Sequence, residues 1–414
     1  MAHHSTAVPA REAAEMLGIK LATLYAYTSR GLIRSVPGRQ GRERRYLWAD
    51  LEALRSRRER REPAAARGTA LNWGEPVLDT QITSFGPDGP VYRSRAALEL
   101  AGRDTPFESV AEFLWTATLP DEAPVWTARD LGVPASELLT LMPDAPTQSP
   151  LTPLDLLLPV LAARDPSRFD TRAPVILAAA RILIRRMTAA TALPGSKSRV
   201  RASLRAPSIA HGIAAALGAP ETPRAVAALN RALVLMADHE LNASTFTARV
   251  VASTGADLCA CISAAIGALS GPLHGGATAR VAALAAETAR PAQASAVLQS
   301  RFQRGELVPG FGHELYPAGD PRAHELLRLA RELAPRNPKV RTLFALIDAM
   351  QQANRPAANV DTGLVALTAA LGLPDRAAPA LFCIGRSAGW VAHILEQYQA
   401  GFLMRPRARY LRPD

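Results

Sequence analysis

Four short stretches hold residue types that could do acid–base chemistry on a small anion. The first is "GPLHGGA", residues 271–277, which sets His274 among glycines between two alanine-rich stretches that read as helices. Gly271-Pro272 ends the first helix, and Gly275-Gly276 removes side chains where something must approach the backbone. Taken alone, His274 is equally an exposed turn residue and a group aimed at a ligand. The second stretch is "DHELNASTFTARVVAST", where His239 stands between Asp238 and Glu240 at a helix start. His239 could donate to an anion or be a satisfied core histidine, and the latter is the commoner case. The third, "VPGFGHELYPAGDPRA", places His313 after a glycine and Arg322 nine residues on, beyond a turn. The fourth, "NVDTGLVAL", opens a helix at Asp361, where the backbone dipole favours an ionised carboxylate.

Groups like these need a rigid scaffold. The chain has 414 residues, enough for two or three domains and a large core. Hydrophobic residues make up 48% and aromatics only 5%, with alanine throughout, which favours helices over strands. The expected class is mainly α. No apolar run reaches the roughly 18 residues of a membrane span, and no basic-then-apolar leader opens the chain, so a cytoplasmic protein is expected. Cys259, Cys261 and Cys383 fit no zinc or disulfide framework and read as buried free thiols. No metal is expected.

Charge is uneven. Residues 1–67 hold 14 Lys+Arg against 7 Asp+Glu, so this segment carries +7 of the net +11. "AREAAEMLGI" reads as a short amphipathic helix with Ala13, Ala14 and Leu17 on one face. "KLATLYAYTSRGLI" reads as a second helix, ended by Gly31. A basic wing comes next, around Pro37, Gly38 and Gly41, and a further helix starts near Ala49-Asp50. The run "ATLYAYTSRGLI", the wing and "RRYLWADLEAL" together resemble the winged helix-turn-helix of the MerR/excisionase type. That resemblance implies that Thr23, Tyr25 and Arg30 face DNA while Arg42, Arg44 and Arg45 meet phosphates. The alternative is a small domain that docks on protein. A Pro/Ala/Gly linker stands where regulators of that type carry a dimerising helix, so dimerisation would come from the body of the chain beyond it.

From Leu71 on the pattern changes. A short strand pair with a Gly-Pro-Asp-Gly turn precedes a run of helices. In this body "DHELNASTFTARVVAST", "GPLHGGA", "GFGH", "DPRA", "NVD" and "IGRSAGWVAHILEQ…RPRARY" occur in an order and spacing similar to the citrate synthase family. The expected organisation is therefore a helix-turn-helix domain over 1–62, a linker over 63–70, and a two-lobed helical domain over 71–414 with a small lobe at about 276–378.

That resemblance implies a condensation of acetyl-CoA with oxaloacetate to citrate and CoA, by a homodimer of the tricarboxylic acid cycle, with no cofactor beyond the CoA thioester substrate. Asp361 would be the base, His274 the donor to the thioester oxygen, and His313 the group that polarises the ketone. His239, Arg322 and Arg386 would hold oxaloacetate, with Arg405 reaching in from the other subunit. The backbone of Pro309, Gly310, Phe311 and Gly312 would meet CoA. A neutral His274 is the sensible donor, because its partner is a poor acid. Glu314 and Pro317 stand where many relatives carry cations for the CoA phosphates. Two other readings stay open: 2-methylcitrate synthesis from propionyl-CoA, and a metabolite-sensing transcriptional regulator on a synthase scaffold.

Overall fold

A computed structural model describes residues 7–17, 19–29, 33–37, 44–47, 50–51, 78–86, 88–142, 151–193, 196–407 and 410. Contacts divide the chain into two units, Met1–Asp79 and Thr80–Asp414.

In the first unit the helices Ala10–Met16 and Leu21–Ser29 accompany a three-stranded antiparallel sheet. Arg44–Leu47 is its middle strand, between Ala7–Pro9 and Ser35–Pro37, with Val8 opposite Tyr46. The small core joins Val8, Ala13, Ala14, Leu17, Leu24, Ile33, Tyr46 and Leu51. The predicted apolar face of the first helix is thus the buried one. The strand Ala7–Pro9 has no counterpart among the sequence expectations; three residues are too few to show an alternation. Asp50 ties the start of the next helix back to the sheet by accepting from the Arg34 backbone N–H (2.9 Å) and guanidinium (2.8 Å).

The second unit opens with the antiparallel strands Thr83–Gly86, Gly89–Tyr92 and Arg95–Ala96. Gly86 pairs with Gly89, whose φ of 97° is the left-handed conformation that glycine adopts without strain. The hairpin is fastened by Tyr92, whose hydroxyl lies 3.0 Å from Val234 O and accepts from Asp238 N–H at 3.2 Å. Helices make up the rest. The longest, Ala377–Ala400, is buried from Ala377 through Leu395, as expected of a helix apolar on nearly all sides. Close approach explains its glycines: a Cβ on Gly389 would lie 2.2 Å from Asp238 Oδ1, and one on Gly385 would lie 2.7 Å from Met236 Cβ. A separate smaller core gathers Leu284, Ala294, Leu298, Leu346, Ala349 and Met350. Among the described residues no helix is long and apolar enough to cross a membrane.

Candidate active site

Each candidate side chain is set by a local device. Asn242 caps the helix Ala243–Ala252 just after His239, accepting from Thr245 N–H. Asp320 caps Pro321–Leu333, with Pro at the first position where no amide hydrogen is needed. Asn359 caps Val360–Ala370, accepting from Asp361 N–H at 3.1 Å and donating to Gly312 O at 3.1 Å. That second bond stitches the helix of Asp361 to the "VPGFG" loop. Asn359 N–H also donates to Gly310 O, and Gly312 N–H to Ala357 O. Gly310 and Gly312 both have φ of 84°, and a Cβ on Gly310 would lie 2.2 Å from Thr362 Oγ1.

At "GPLHGGA" the glycines serve the chain itself rather than an open space beside it. A Cβ on Gly275 would lie 2.5 Å from Leu269 Cδ1, and one on Gly276 would lie 2.7 Å from Gly271 O. The tight turn aims His274 inward, with Nε2 2.8 Å from Ser244 Oγ. Ser244 also accepts from Trp390 Nε1–H at 3.2 Å and lies 2.7 Å from Asn242 Oδ1. Phe382 meets the His274 ring edge-on at 5.8 Å.

His239 and His313 lie 5.3 Å apart between ring centroids, and Tyr316 packs against both. Phe85, from the strand Thr83–Gly86, meets His239 edge-on at 4.9 Å. His313 Nδ1 accepts from Leu315 N–H at 3.2 Å, so the proton of the neutral ring sits on Nε2. Two buried arginines supply positive charge. Arg322 is held by Asp320 through Nε (3.0 Å) and Nη2 (2.8 Å), and Asp320 Oδ2 also accepts from Val360 N–H. Arg386 donates from Nε to Met236 O at 2.8 Å, and its guanidinium stands 4.9 Å over Phe382.

Burial and these cations set the protonation states. His239 is driven well below the ordinary histidine range, first by burial and then by Arg322 and Arg386. Burial and Arg386 lower His274 to about 4, which meets the expectation of a neutral imidazole. His313 is lowered by burial and then Arg322. Arg386 falls to about 10, chiefly through burial. The expectation for Asp361 is overturned. Its carboxyl is raised to about 7, because burial outweighs both the helix dipole and the two arginines. Its Oδ1 is enclosed and has no hydrogen-bond partner among the described residues.

His239, His274, His313, Arg322, Arg386 and Asp361 are linked by these contacts and charges. Arg405 is exposed on the extended segment after Ala377–Ala400, outside that network. Ser244, Tyr316, Asp320 and Phe85 belong to the site although the sequence pattern assigns them no role. Asp320-Pro321 is legible as a cap followed by a first-turn proline; the other three have no local signal. In the first unit Thr23 is half-buried, Tyr25 is 53% exposed and Arg44 is exposed. Arg45 is half-buried with Nε enclosed and unpaired. Arg30 and Arg42 lie outside the described residues.

A helical fold that brings histidines, arginines and a carboxyl with one enclosed oxygen together defines a class of domain that handles small anions. Residues 70–407 match the family described as "Citrate synthase, C-terminal domain", and residues 10–59 match "Helix-turn-helix domain". The chain is 34% identical over 355 residues to Citrate synthase 2 of Bacillus subtilis, covering 82% of this chain and 92% of that one. It is 45% identical over 202 residues to a Mycobacterium tuberculosis relative, an alignment that spans about half of each chain (47% and 54%). The citrate synthase of Thermoplasma acidophilum, solved with carboxymethyl coenzyme A and oxaloacetate, superposes with a TM-score of 0.71 over 82% of this chain and 94% of that one; at 24% identity this shows the fold. The chain belongs to the citrate synthase family and carries a helix-turn-helix domain before the family domain.

Proposed function

We propose that the second unit condenses an acyl-CoA, acetyl-CoA foremost, with oxaloacetate and water to give citrate and CoA. The observation that carries this is Asp361: a carboxyl with one enclosed oxygen unpaired among the described residues and a pKa of about 7, under the charge of the two arginines that also act on the neutral histidines. A base whose pKa lies near the working pH is well matched to removing a weakly acidic proton. Asp361 takes a methyl proton from the thioester as His274 donates to the thioester oxygen. The donor role selects one tautomer. Ser244 has one hydroxyl proton and two acceptors in reach, Asn242 Oδ1 and His274 Nε2. When it goes to His274, the ring's own proton is on Nδ1, the nitrogen without a bond to described residues. The enol carbon then attacks the ketone of oxaloacetate, whose oxygen takes the proton from His313 Nε2. Arg322 and Arg386 bind the two carboxylates with His239, and water releases CoA from the resulting thioester. Arg405 of a second subunit completes the keto-acid site in a homodimer, and the backbone of Pro309–Gly312 contacts CoA.

Release of free thiol from acetyl-CoA, dependent on oxaloacetate, tests this reading. Asp361→Asn is expected to lower turnover by about 10³-fold or more while oxaloacetate still binds. Equal turnover by the variant would remove Asp361 as base. One methylene discriminates acyl groups by only about 1–3 kcal/mol, so the rate ratio with propionyl-CoA decides between citrate and 2-methylcitrate synthesis.

The winged helix-turn-helix fold of the first unit supports a second activity on the same chain, DNA binding. Tyr25 and Arg44 are exposed, as that role requires. If thiol release fails while oxaloacetate binds, the chain is a metabolite-sensing regulator on a synthase scaffold.

A further inference from the structure

The hydroxyl of Tyr316 lies 2.9 Å from Nε2 of His239. This nitrogen belongs to the histidine assigned above to the keto acid, so the direction of the bond decides which face of the imidazole carries a donor. Burial keeps His239 neutral, which leaves the ring a single proton. Burial also raises the Tyr316 phenol to about 12, so it remains protonated. The phenol proton has one acceptor among the described residues, His239 Nε2. The Arg322 guanidinium, 5.6 Å from the centroid of the ring, has only donors. If His239 donated instead, the phenol proton would have no acceptor among the described residues.

We propose that Tyr316 is a positioning residue that sets the tautomer of His239: its phenol donates to Nε2, so the imidazole proton sits on Nδ1 and is the one offered to the keto acid. His313 has the opposite tautomer, because its Nδ1 accepts from Leu315 N–H. The two adjacent rings therefore present unlike nitrogens to one substrate. The tyrosine is braced for this role. Its N–H donates to His313 O and its O accepts from Gly319 N–H, both at 3.0 Å. Its ring packs on His313 at 4.8 Å and edge-on to Phe85 at 6.2 Å. Pro317 comes next in the chain and restricts the tyrosine backbone to extended conformations. A proline in place of a cation there thus has a positional consequence for the keto-acid side of the pocket.

The inference rests on the keto-acid reading of His239, and its test separates the two. The full chain, labelled with ¹⁵N-histidine and free of substrate, is studied by long-range ¹H–¹⁵N correlation, with His239 assigned by comparison with His239→Gln. The expected result is an Nδ1–H tautomer with an unprotonated Nε2, lost or mixed in Tyr316→Phe. An Nε2–H tautomer in the unaltered chain overturns the proposal. Calorimetry supplies the second readout: Tyr316→Phe is expected to weaken oxaloacetate binding about tenfold, the scale of one hydrogen bond, and to leave acetyl-CoA binding unchanged. Unchanged oxaloacetate affinity also overturns it. If the unaltered chain binds no oxaloacetate, the proposed function fails and so does the substrate half of this inference, while the spectrum still decides the tautomer.

Discussion

Asp361 shows how one residue's surroundings reverse a local preference. Two residues into a helix, a carboxylate gains from the dipole, but the effect is small and fades within a turn. Enclosure of Oδ1 without a partner works in the opposite direction and dominates. The sign of the shift sets the pH dependence. The folded protein holds the Asp361 proton up to about pH 7, whereas the unfolded chain releases it near 4. Stability is therefore lost as pH rises between those values. Asp361→Asn does not titrate, so its melting temperature should exceed that of the unaltered chain by roughly 2–5 °C at pH 8, and by less at pH 5. Calorimetric scans at the two pH values read this difference directly. Activity has the opposite dependence. The base works ionised, so kcat/KM should fall tenfold per pH unit below about 7. His274, already neutral above about 4, contributes nothing to that limb.

Among elements, the helix Ala377–Ala400 and the loop Ala237–His239 depend on contact without side chains. Gly389 N–H donates to Ala237 O at 2.8 Å, and Asp238 fits against the same glycine. Asp238 also lies 3.3 Å from the buried His393. A methyl at 389 has nowhere to go, since the nearest atoms are the Ala237 carbonyl oxygen and the Asp238 carboxylate. Gly389→Ala is expected to cost about 1–3 kcal/mol. It should raise KM for oxaloacetate more than KM for acyl-CoA, because His239 and Arg386 sit on the two displaced elements. A uniform loss of activity with no change in either KM would contradict that coupling. The Asn359 cap predicts the complementary split. Asn359→Ala removes the bonds to Asp361 N–H and Gly312 O, and should cost about 1–2 kcal/mol. Its kinetic penalty should fall on kcat and on KM for acyl-CoA, measured by varying each substrate in turn.

At the level of the whole molecule, two units of different character share one chain. The first holds a helix-turn-helix fold whose residues 1–67 carry +7 of the net +11; the second holds the candidate site. Binding to random duplex DNA at low ionic strength should be steeply salt-dependent, with a log–log slope that shrinks by about 0.9 for Arg44→Ala. A chain lacking residues 1–70 should lose that binding and keep its oxaloacetate-dependent thiol release. Salt-independent binding, or none, would remove the DNA reading and leave protein docking for the first unit.

The sequence alone determined the helical class and the helix-turn-helix preceding a synthase-like body, and it singled out six side chains that the structure links by contacts and charge. It could do so because caps, first-turn prolines and glycine turns act over three or four residues, as at Asn359-Asp361 and Asp320-Pro321-Arg322. The tertiary structure alone decided what those side chains are chemically. Tyr316 reaches His239 across 77 residues of chain, and Trp390 reaches Ser244 across 146. The charge state of Asp361 and the neutrality of His239 and His274 arise from desolvation and through-space charge, and the tautomer of His313 from its bond to Leu315 N–H. Those forces depend on which elements pack together, and no local pattern records them.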